Sequence, residues 1–192
     1  MNISFNWLSE FLKIDLKIKE VSEILTDIGL EVEGIEKYEQ FKGGLEGLIV
    51  GEVVYCEQHP NADRLKLTKV NIGNESILQI VCGAPNVKLN QKVIVATVGT
   101  VLHPLNNEKF KITKSKIRGE ISQGMICAED EIGIGNSHDG IIVLDAKYKP
   151  GTKISKIYEN YSDQVFNIGL TPNRSDAMSH LGVARDLRAA LM

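Results

Sequence analysis

Residues 40–150 contain a succession of short apolar, β-rich runs, and this pattern constrains the fold more than any other feature of the sequence. The runs are Leu48–Tyr55, Leu65–Ile72, Ser76–Cys82, Val93–Val98, Phe110–Ile117, Met125–Ala128 and Gly140–Leu144. Turn residues separate them, including Gly73-Asn74, Gly83-Ala84-Pro85-Asn86, His103-Pro104 and Asn106-Asn107. Many short strands at regular spacing predict a sandwich or a barrel. A closed five-stranded barrel with extra strands is favoured here, because closure removes exposed strand edges.

The two flanks have a different, helical character. Asn6 is predicted to cap a first helix, whose apolar face consists of Trp7, Leu8, Phe11 and Leu12. A second helix is predicted with an apolar face of Val21, Ile24, Leu25 and Ile28. Gly29 is expected to end the second helix in a left-handed turn, and the alternation at 30–33 predicts a strand.

The C-terminal flank predicts a strand over Gln164–Leu170, followed by a turn and a last helix. Ser175 or Asp176 is expected to cap that helix. Its predicted apolar face consists of Leu181, Ala184, Leu187 and Leu191. Since no Gly, Asn or Pro follows to end the helix, we expect the chain to be part of a longer protein.

Neither flank is large enough to build a sizeable core alone. We therefore expect residues 1–39 and 151–192 to form one split domain, with the barrel of residues 40–150 inserted between them. The predicted fold class is α+β, a β-barrel inserted into a small split helical/α+β domain.

Composition limits the possible functions. The net charge is −3, with +1 in residues 40–150 and −4 in the two flanks together, so any electrostatic footprint for nucleic acid must be local. Three scattered cysteines without CxxC spacing argue against a disulfide framework or a zinc site and suit a reducing compartment. The N-terminus lacks the pattern of a signal peptide. We expect a cytoplasmic protein without a membrane partner.

Motifs for catalysis are missing from this sequence. It contains no GxSxG, P-loop or HExxH pattern. The acids Glu129, Asp130, Glu131 and Asp139 do not fit a calcium loop, and solvated acids at a strand end are the favoured interpretation. We therefore assign no catalytic residue, metal ligand or cofactor to this chain.

Two basic segments are candidates for binding nucleic acid. In HPNADRLKLTKVNIG, residues 59–73, a polar turn at 60–63 precedes a strand with Leu65 and Leu67 on one face and Lys66 and Thr68 on the other. The simpler interpretation is a hairpin with a solvated basic face.

The second basic segment, KFKITKSKIRG, contains five basic residues and no acid: Lys109, Lys111, Lys114, Lys116 and Arg118. As an extended strand it would present two basic strips suited to a phosphate backbone. The alternative is an edge strand that its lysines protect from unwanted pairing. Because aromatic platforms are scarce, recognition would depend on phosphate contacts and shape more than on splayed bases.

The order of motifs from HPNADRLKLTKVNIG through QIVCGAPNV and KSKIRGEISQGMICAEDEIGIG to DGIIVL resembles the tRNA-binding domain built on an OB-fold. The resemblance implies that residues 40–150 are an OB-fold barrel whose ligand is tRNA, not DNA. It implicates in binding His59, Asn61, Arg64, Lys66, Asn86, Lys114, Lys116, Arg118, Ser122 and Met125. A structural role is an equally good interpretation for Asn61, Asn86 and Met125.

The flanks narrow the resemblance. MNISFNWLSEFLKID, LTDIGLEVEGIE and VFNIGLTPNRSDAMSHLGVARDLRAAL are similar to the N-terminal region of the bacterial phenylalanyl-tRNA synthetase β-subunit family. That family implies ATP-dependent attachment of phenylalanine to tRNA, with ATP and magnesium bound by the full enzyme and an α subunit as partner in an (αβ)₂ assembly. A rival expectation is an assembly module with little tRNA affinity of its own, and a second rival is a stand-alone tRNA-binding chaperone.

Overall fold

The computed structural model describes residues 1–105 and 108–192, and the predicted turn at Asn106-Asn107 lies outside these residues. The chain divides into two compact units. The first consists of residues 1–40 and 161–192, and the second of residues 41–160. No helix in the described ranges is both long and apolar enough to cross a bilayer.

In chain order the regular elements of the described residues are β1 (Asn2–Ser4), α1 (Phe5–Phe11), α2 (Ile18–Asp27), β2 (Glu31–Glu39), β3 (Leu48–His59), β4 (Ala62–Asn71), β5 (Ile77–Cys82), β6 (Lys92–Thr97), β7 (Val101–Leu102), β8 (Phe110–Lys111), β9 (Ser115–Ile117), β10 (Glu120–Ser122), β11 (Gly124–Ile126), β12 (Val143–Leu144), β13 (Ser162–Gly169) and α3 (His180–Ala190). Short 3₁₀ turns occupy Lys42–Leu45, Ile154–Lys156 and Ser175–Ala177.

The first unit is assembled from both ends of the chain. Its antiparallel sheet has β13 in the centre, between β1 and β2. The fully buried Phe166 and Ile168 of β13 pack with buried side chains of all three helices. On α2, Val21 and Leu25 are buried as predicted, and Gly29 follows with φ +83°. A left-handed residue at this position favours glycine, which has no Cβ to clash.

The first helix begins two residues earlier than the Asn6 cap predicts. Ser4 is the N-cap, and its Oγ accepts a hydrogen bond from the Trp7 amide at 2.9 Å. Asn6 instead donates from Nδ2 to the Ser162 carbonyl. This shift leaves Leu8 fully buried but Trp7 and Phe11 about half exposed, so the predicted apolar face is wrong for both aromatic residues.

The cap of the last helix was also predicted wrongly. Ser175 and Asp176 form a 3₁₀ turn, and Ser179 caps α3 by accepting from the Gly182 amide at 3.0 Å. A Cβ at Gly182 would clash with the Asp176 carbonyl oxygen, so the helix packs its Gly182 side closely onto this turn. Leu181 therefore lies on the outer side and is 63% exposed, whereas Ala184 and Leu187 are buried as predicted.

The second unit contains the predicted β-barrel. Its main antiparallel sheet has the order β11-β6-β3-β4-β5, with β12 also paired to β6. Beside β11, the Gln123 amide donates to the Gln79 carbonyl of β5 at 2.8 Å, which brings the two ends of the sheet together. The Ser122 hydroxyl accepts from the Val81 amide at 3.2 Å on the same seam. A nearly closed five-stranded barrel with this strand order is an OB-fold, and the predicted fold class is confirmed.

The barrel unit extends beyond the predicted boundary at residue 150. Residues 151–160, which were predicted to belong to the split domain, lie in the second unit. Ile154 is fully buried there with Leu45 and Leu48, and the Thr152 carbonyl accepts from the Val50 amide at 2.8 Å. Burial of an isolated isoleucine has no periodicity that a sequence pattern could show.

Two predicted strands are shorter than their apolar runs. Residues 110–117 are interrupted, because Ile112 turns into the core between β8 and β9. Each fragment then pairs with a different partner, β8 with β7 and β9 with β10. In the run 140–144, only Val143 and Leu144 are in a strand.

Candidate nucleic-acid interface

The hairpin formed by β3 and β4 has its tip at Pro60 and Asn61, and His59 anchors it. His59, which the resemblance implicates in tRNA binding, is only 3% exposed, so its side chain is not open to a direct contact with a ligand. Its Nδ1 accepts from the Asn61 amide at 3.0 Å, which leaves Nε2 to donate to the Ile117 carbonyl at 3.2 Å. Asn61 Nδ2 also donates to the Arg118 carbonyl at 3.3 Å. The side chains of His59 and Asn61 therefore join this hairpin to the one made by β9 and β10.

The face of β4 that carries Lys66 and Thr68 was predicted to be solvated, but these two side chains lie inward. Thr68 is fully buried and Lys66 is half-buried, while Arg64, nearer the hairpin tip, is exposed. Lys66 Nζ donates to the Val87 carbonyl at 2.8 Å. The long apolar stem of lysine allows this inward placement as long as the ammonium group has a partner. Arg64 and Lys69 are the exposed basic side chains of this strand, and Arg64 is the one nearer the hairpin tip.

Asn86 has a structural role in the GAPN loop. Its Nδ2 donates to the Ile141 carbonyl and its Oδ1 accepts from the Ile141 amide, both at 2.9 Å. These two bonds hold the loop against a segment 55 residues away in sequence. Of the two interpretations left open for Asn86, the structure supports the turn-forming one.

The basic side chains of the segment 109–118 all face solvent. Lys109, Lys111, Lys114, Lys116 and Arg118 are all exposed. None of them forms an ion pair with another residue in the described part of the chain. Arg118 has φ +52° and Gly119 has φ +104°, as the two-residue turn between β9 and β10 requires. The predicted single strand with two strips becomes a hairpin with basic side chains along one arm and at its tip.

Ser122 and Met125 lie at the barrel seam rather than on an open surface. Ser122 is 2% exposed, accepts from the Val81 amide and donates to the Gly124 carbonyl at 3.0 Å. Its hydroxyl group helps to join β10 to β5, and its burial leaves it closed to a direct contact with a ligand. Met125 is half-buried and lines a cavity.

That cavity has a volume of about 670 Å³ and was not foreseen from the sequence. The basic segment supplies part of its wall through Phe110, Lys111, Ile112, Ser115 and Ile117. The opposite wall comes from the end of β5, from β11 and from the 138–141 segment. No sequence signal marks such a cavity, because its residues are drawn from four separate stretches of the chain.

The acids that might have formed a cation site have separate partners. Glu131 Oε2 accepts from the Ala128 amide at 2.7 Å, and Asp130 lies 3.0 Å from Nδ1 of His138. The hydrogen bond and charge of Asp130 raise the pKa of His138. Across residues 1–105 and 108–192, no group of His, Cys, Asp or Glu side chains is suited to hold a metal ion.

A nearly closed five-stranded barrel with exposed basic side chains on one hairpin defines the class of OB-fold binding modules. Residues 48–153 match the family model described as "Putative tRNA binding domain", and the chain belongs to this family.

Curated relatives match the whole chain. A phenylalanine--tRNA ligase beta subunit from Bacteroides fragilis is 58% identical over 192 residues, which is 100% of this chain and 23% of the relative. The protein of the same name from Porphyromonas gingivalis is 53% identical over 191 residues, again 100% of this chain and 23% of the relative. This chain thus spans about a quarter of the length of these relatives.

Among solved structures, a MetRS related protein from Pyrococcus horikoshii is 21% identical. The match covers 55% of this chain and 86% of that one, with a TM-score of 0.40. A similarity this low supports no argument about either fold or function.

Proposed function

We propose that this chain contributes tRNA binding to the β subunit of a phenylalanine–tRNA ligase, which attaches phenylalanine to its tRNA at the expense of ATP. The observation that carries the proposal is the exposed, ion-pair-free basic segment 109–118 on an OB-fold barrel of the tRNA-binding family. Relatives of that name, which match this chain over its whole length, support the choice of this particular enzyme.

The proposed physical role is electrostatic. Lysine and arginine side chains that neutralise phosphates release condensed counterions, so the affinity falls steeply as salt rises. Arg64 and the five basic residues of 109–118 are the proposed phosphate contacts. His59, Lys66, Asn86 and Ser122 act indirectly, because their polar groups are hydrogen-bonded within the barrel.

The remaining parts of the activity are assigned outside this chain. The proposed enzyme has an α subunit as partner in a heterotetrameric (αβ)₂ assembly and works in the cytoplasm. ATP and magnesium are proposed to bind elsewhere in the full enzyme, and no residue described here is assigned to them. We therefore derive no catalytic step from this structure.

Filter binding of tRNA over a range of salt concentrations tests the proposal. The triple variant Lys114→Ala, Lys116→Ala, Arg118→Asn removes three charges, with Asn at position 118 because it tolerates the left-handed backbone there. The slope of log K against log salt should fall by about one for each phosphate that the variant no longer neutralises. The matched control replaces Lys13, Lys19 and Lys37, three exposed lysines of the first unit, with Ala and should leave the slope unchanged. Equal slopes for both triple variants would refute the proposed face.

A second candidate is the assembly module, which the first unit favours. Phe11 and Leu181, 45% and 63% exposed, line a shared 390 Å³ pocket, and the flanks that form this unit are acidic. Exposed apolar groups of this kind mark surfaces for protein partners. If the isolated chain ignored tRNA at low salt, while Phe11→Ser with Leu181→Ser weakened assembly of the full synthetase, the assembly role would replace the first proposal.

A further inference from the structure

The cavity beside the basic segment has the size and composition of a small-molecule site. Its volume of about 670 Å³ lies within the range of roughly 300–1,000 Å³ that is common for ligand pockets. Apolar side chains that include Ile112, Met125 and Ile141 form part of the lining. Such surfaces suit the flat faces of a ring system, and Phe110 in the lining is still 40% exposed, so it is available for stacking.

The charges in the lining discriminate between possible ligands. Glu131 contributes a carboxylate, and one of its oxygens already accepts from the Ala128 amide. An ionised carboxylate has about four acceptor sites and no donor. It repels phosphate, whereas it binds N–H groups strongly. Lys111 and His138 also line the cavity, so the lining as a whole does not exclude an anion, but the Glu131 carboxylate favours a ring that carries an amino group.

The basic segment connects this cavity to the proposed tRNA face. Ser115 and Ile117 of β9 line the cavity, and Lys116 lies between them. Because side chains alternate along a strand, Lys116 points to the opposite side. Lys111 of the same segment does line the cavity, so a phosphate held by Lys111 lies beside the cavity and its base can turn inward.

We propose that the cavity receives one unstacked nucleobase bearing an exocyclic amino group, cytosine, adenine or guanine, while the adjoining phosphates lie on the basic segment. The inference rests on the proposed tRNA binding. It adds a base-reading contact to a surface that was predicted to read mainly phosphates and shape. Uracil has a carbonyl where cytosine has its amino group and can offer the carboxylate only its ring N3–H, so it is disfavoured.

The test is a titration of the full 192-residue chain with CMP and, separately, with UMP, in which NMR monitors the backbone amide signals. The two nucleotides share sugar, phosphate and ring size, so they isolate the amino group. CMP should shift the amides of Gly83, Ile126 and Gly140 saturably, and UMP should bind about tenfold more weakly, as expected for one hydrogen bond to a charged group. No shift at these amides, or equal affinity for both nucleotides, would overturn the proposal.

Two variants with matched controls sharpen the result. Glu131→Gln keeps an acceptor for the Ala128 amide but can also donate, so the CMP preference should fall to within about twofold. Glu129→Gln, an exposed acid in the same turn, should keep it. Ser115→Trp, which fills the cavity mouth, should abolish the CMP shifts, while Ile121→Trp on the outer face of the same hairpin should preserve them. A Glu131→Gln variant that retains the full preference, or a Ser115→Trp variant that still binds CMP, contradicts the proposal.

The salt slope for tRNA, measured on the same samples, separates this inference from the proposed function. A steep slope with a silent cavity would remove the base site and leave phosphate binding in place. Absence of any tRNA binding would remove the proposed function, and the nucleotide titration would still decide whether the cavity takes a base.

Discussion

The imidazole Nε2 of His59 lies 3.2 Å from the carbonyl oxygen of Ile117, which ties the tip of one hairpin to the strand that carries the basic side chains. His59 itself is buried. A residue of this kind affects ligand binding through the position of its neighbours and makes no contact of its own.

Replacement of His59 by Ala should therefore destabilise the barrel unit. It removes two hydrogen bonds and leaves a cavity, at a cost of about 2–4 kcal/mol. Urea unfolding followed by circular dichroism measures the loss. tRNA affinity should fall by a similar factor at every salt concentration, because the number of basic side chains is unchanged. A reduced salt slope with unchanged stability would instead place His59 at the phosphate.

Lys66 and Arg64, two residues apart on β4, should behave in opposite ways. Lys66→Met keeps the apolar stem but loses the hydrogen bond to the Val87 carbonyl, so it should lower the free energy of unfolding by about 1–3 kcal/mol. Arg64→Gln should leave stability within about 0.5 kcal/mol, since surface changes are usually neutral, and should lower the tRNA salt slope. Measurement of both quantities on both variants decides the assignment, and a lowered slope in Lys66→Met would contradict it.

The stability of the first unit should depend on pH through His180. Its Nε2 accepts from the Ser4 amide at 2.9 Å, and its ring stacks on Trp7 with centroids 4.0 Å apart. Burial lowers the pKa of His180, an effect that the charge of Asp163 only partly offsets. The unfolded chain therefore binds a proton that the folded unit does not, so stability is complete above pH 6.5 and falls as the pH drops below it.

Fluorescence of Trp7, the single tryptophan of the chain, reports this transition for the first unit. The urea midpoint should fall between pH 7.5 and pH 5.5. His180→Gln, which can still accept from Ser4, should remove most of that fall. His138→Gln, an exposed histidine of the second unit, should leave the fall intact. An unchanged midpoint across this range in the unsubstituted chain would disprove the dependence.

A second loss of stability should follow at lower pH through Asp163. Burial on its own would raise the pKa of Asp163, but hydrogen bonds from Ser4, Asn6, Tyr161 and Gln164 outweigh it, and the pKa is lowered. The ionised form is thus favoured by folding, and its contribution is lost as the pH falls below about 3.8. Asp163→Asn should flatten the acid limb of the Trp7 unfolding curve. An acid limb as steep in Asp163→Asn as in the unsubstituted chain would show that other groups cause it.

Excision of residues 41–160 should leave a folded first unit. The Gln40 amide donates to the Tyr161 carbonyl at 2.9 Å, so a short linker can join these two residues. We expect cooperative urea unfolding with a stability of about 3–5 kcal/mol, as is usual for a single small core. The excised segment is the complementary control, because Asn160 Oδ1 accepts from the Phe41 amide at 2.8 Å and holds its ends together. A non-cooperative remnant would show that the first unit depends on the second.

Local patterns predicted much of the fold. The strands β3 to β6 were placed to within a few residues, because each is a run of β-branched residues bounded by turn formers. The face of β4 was predicted wrongly, since Lys66 and Thr68 look polar but lie inward. Their hydrogen bonds to the carbonyls of Val87 and Ile80 make this burial tolerable, and a pattern of hydrophobicity contains no information about such partners.

In the candidate site, too, some features could be predicted from local sequence and others could not. The exposure of Lys114, Lys116 and Arg118 follows from their charge and could be predicted. The anchoring roles of His59 and Asn86 could not, because each depends on a backbone group more than 50 residues away in sequence.

The sequence by itself determined the approximate positions of β3 to β6 and of the helices, and the basic character of residues 109–118, because these depend on spacing, turn chemistry and charge within short stretches. Only the tertiary structure decided which polar side chains support the barrel and which remain free for a ligand. It also decided the existence of the cavity beside them. The physical reason is that a polar group can be buried wherever a distant backbone donor or acceptor meets it, and a cavity arises from strands that are far apart along the chain.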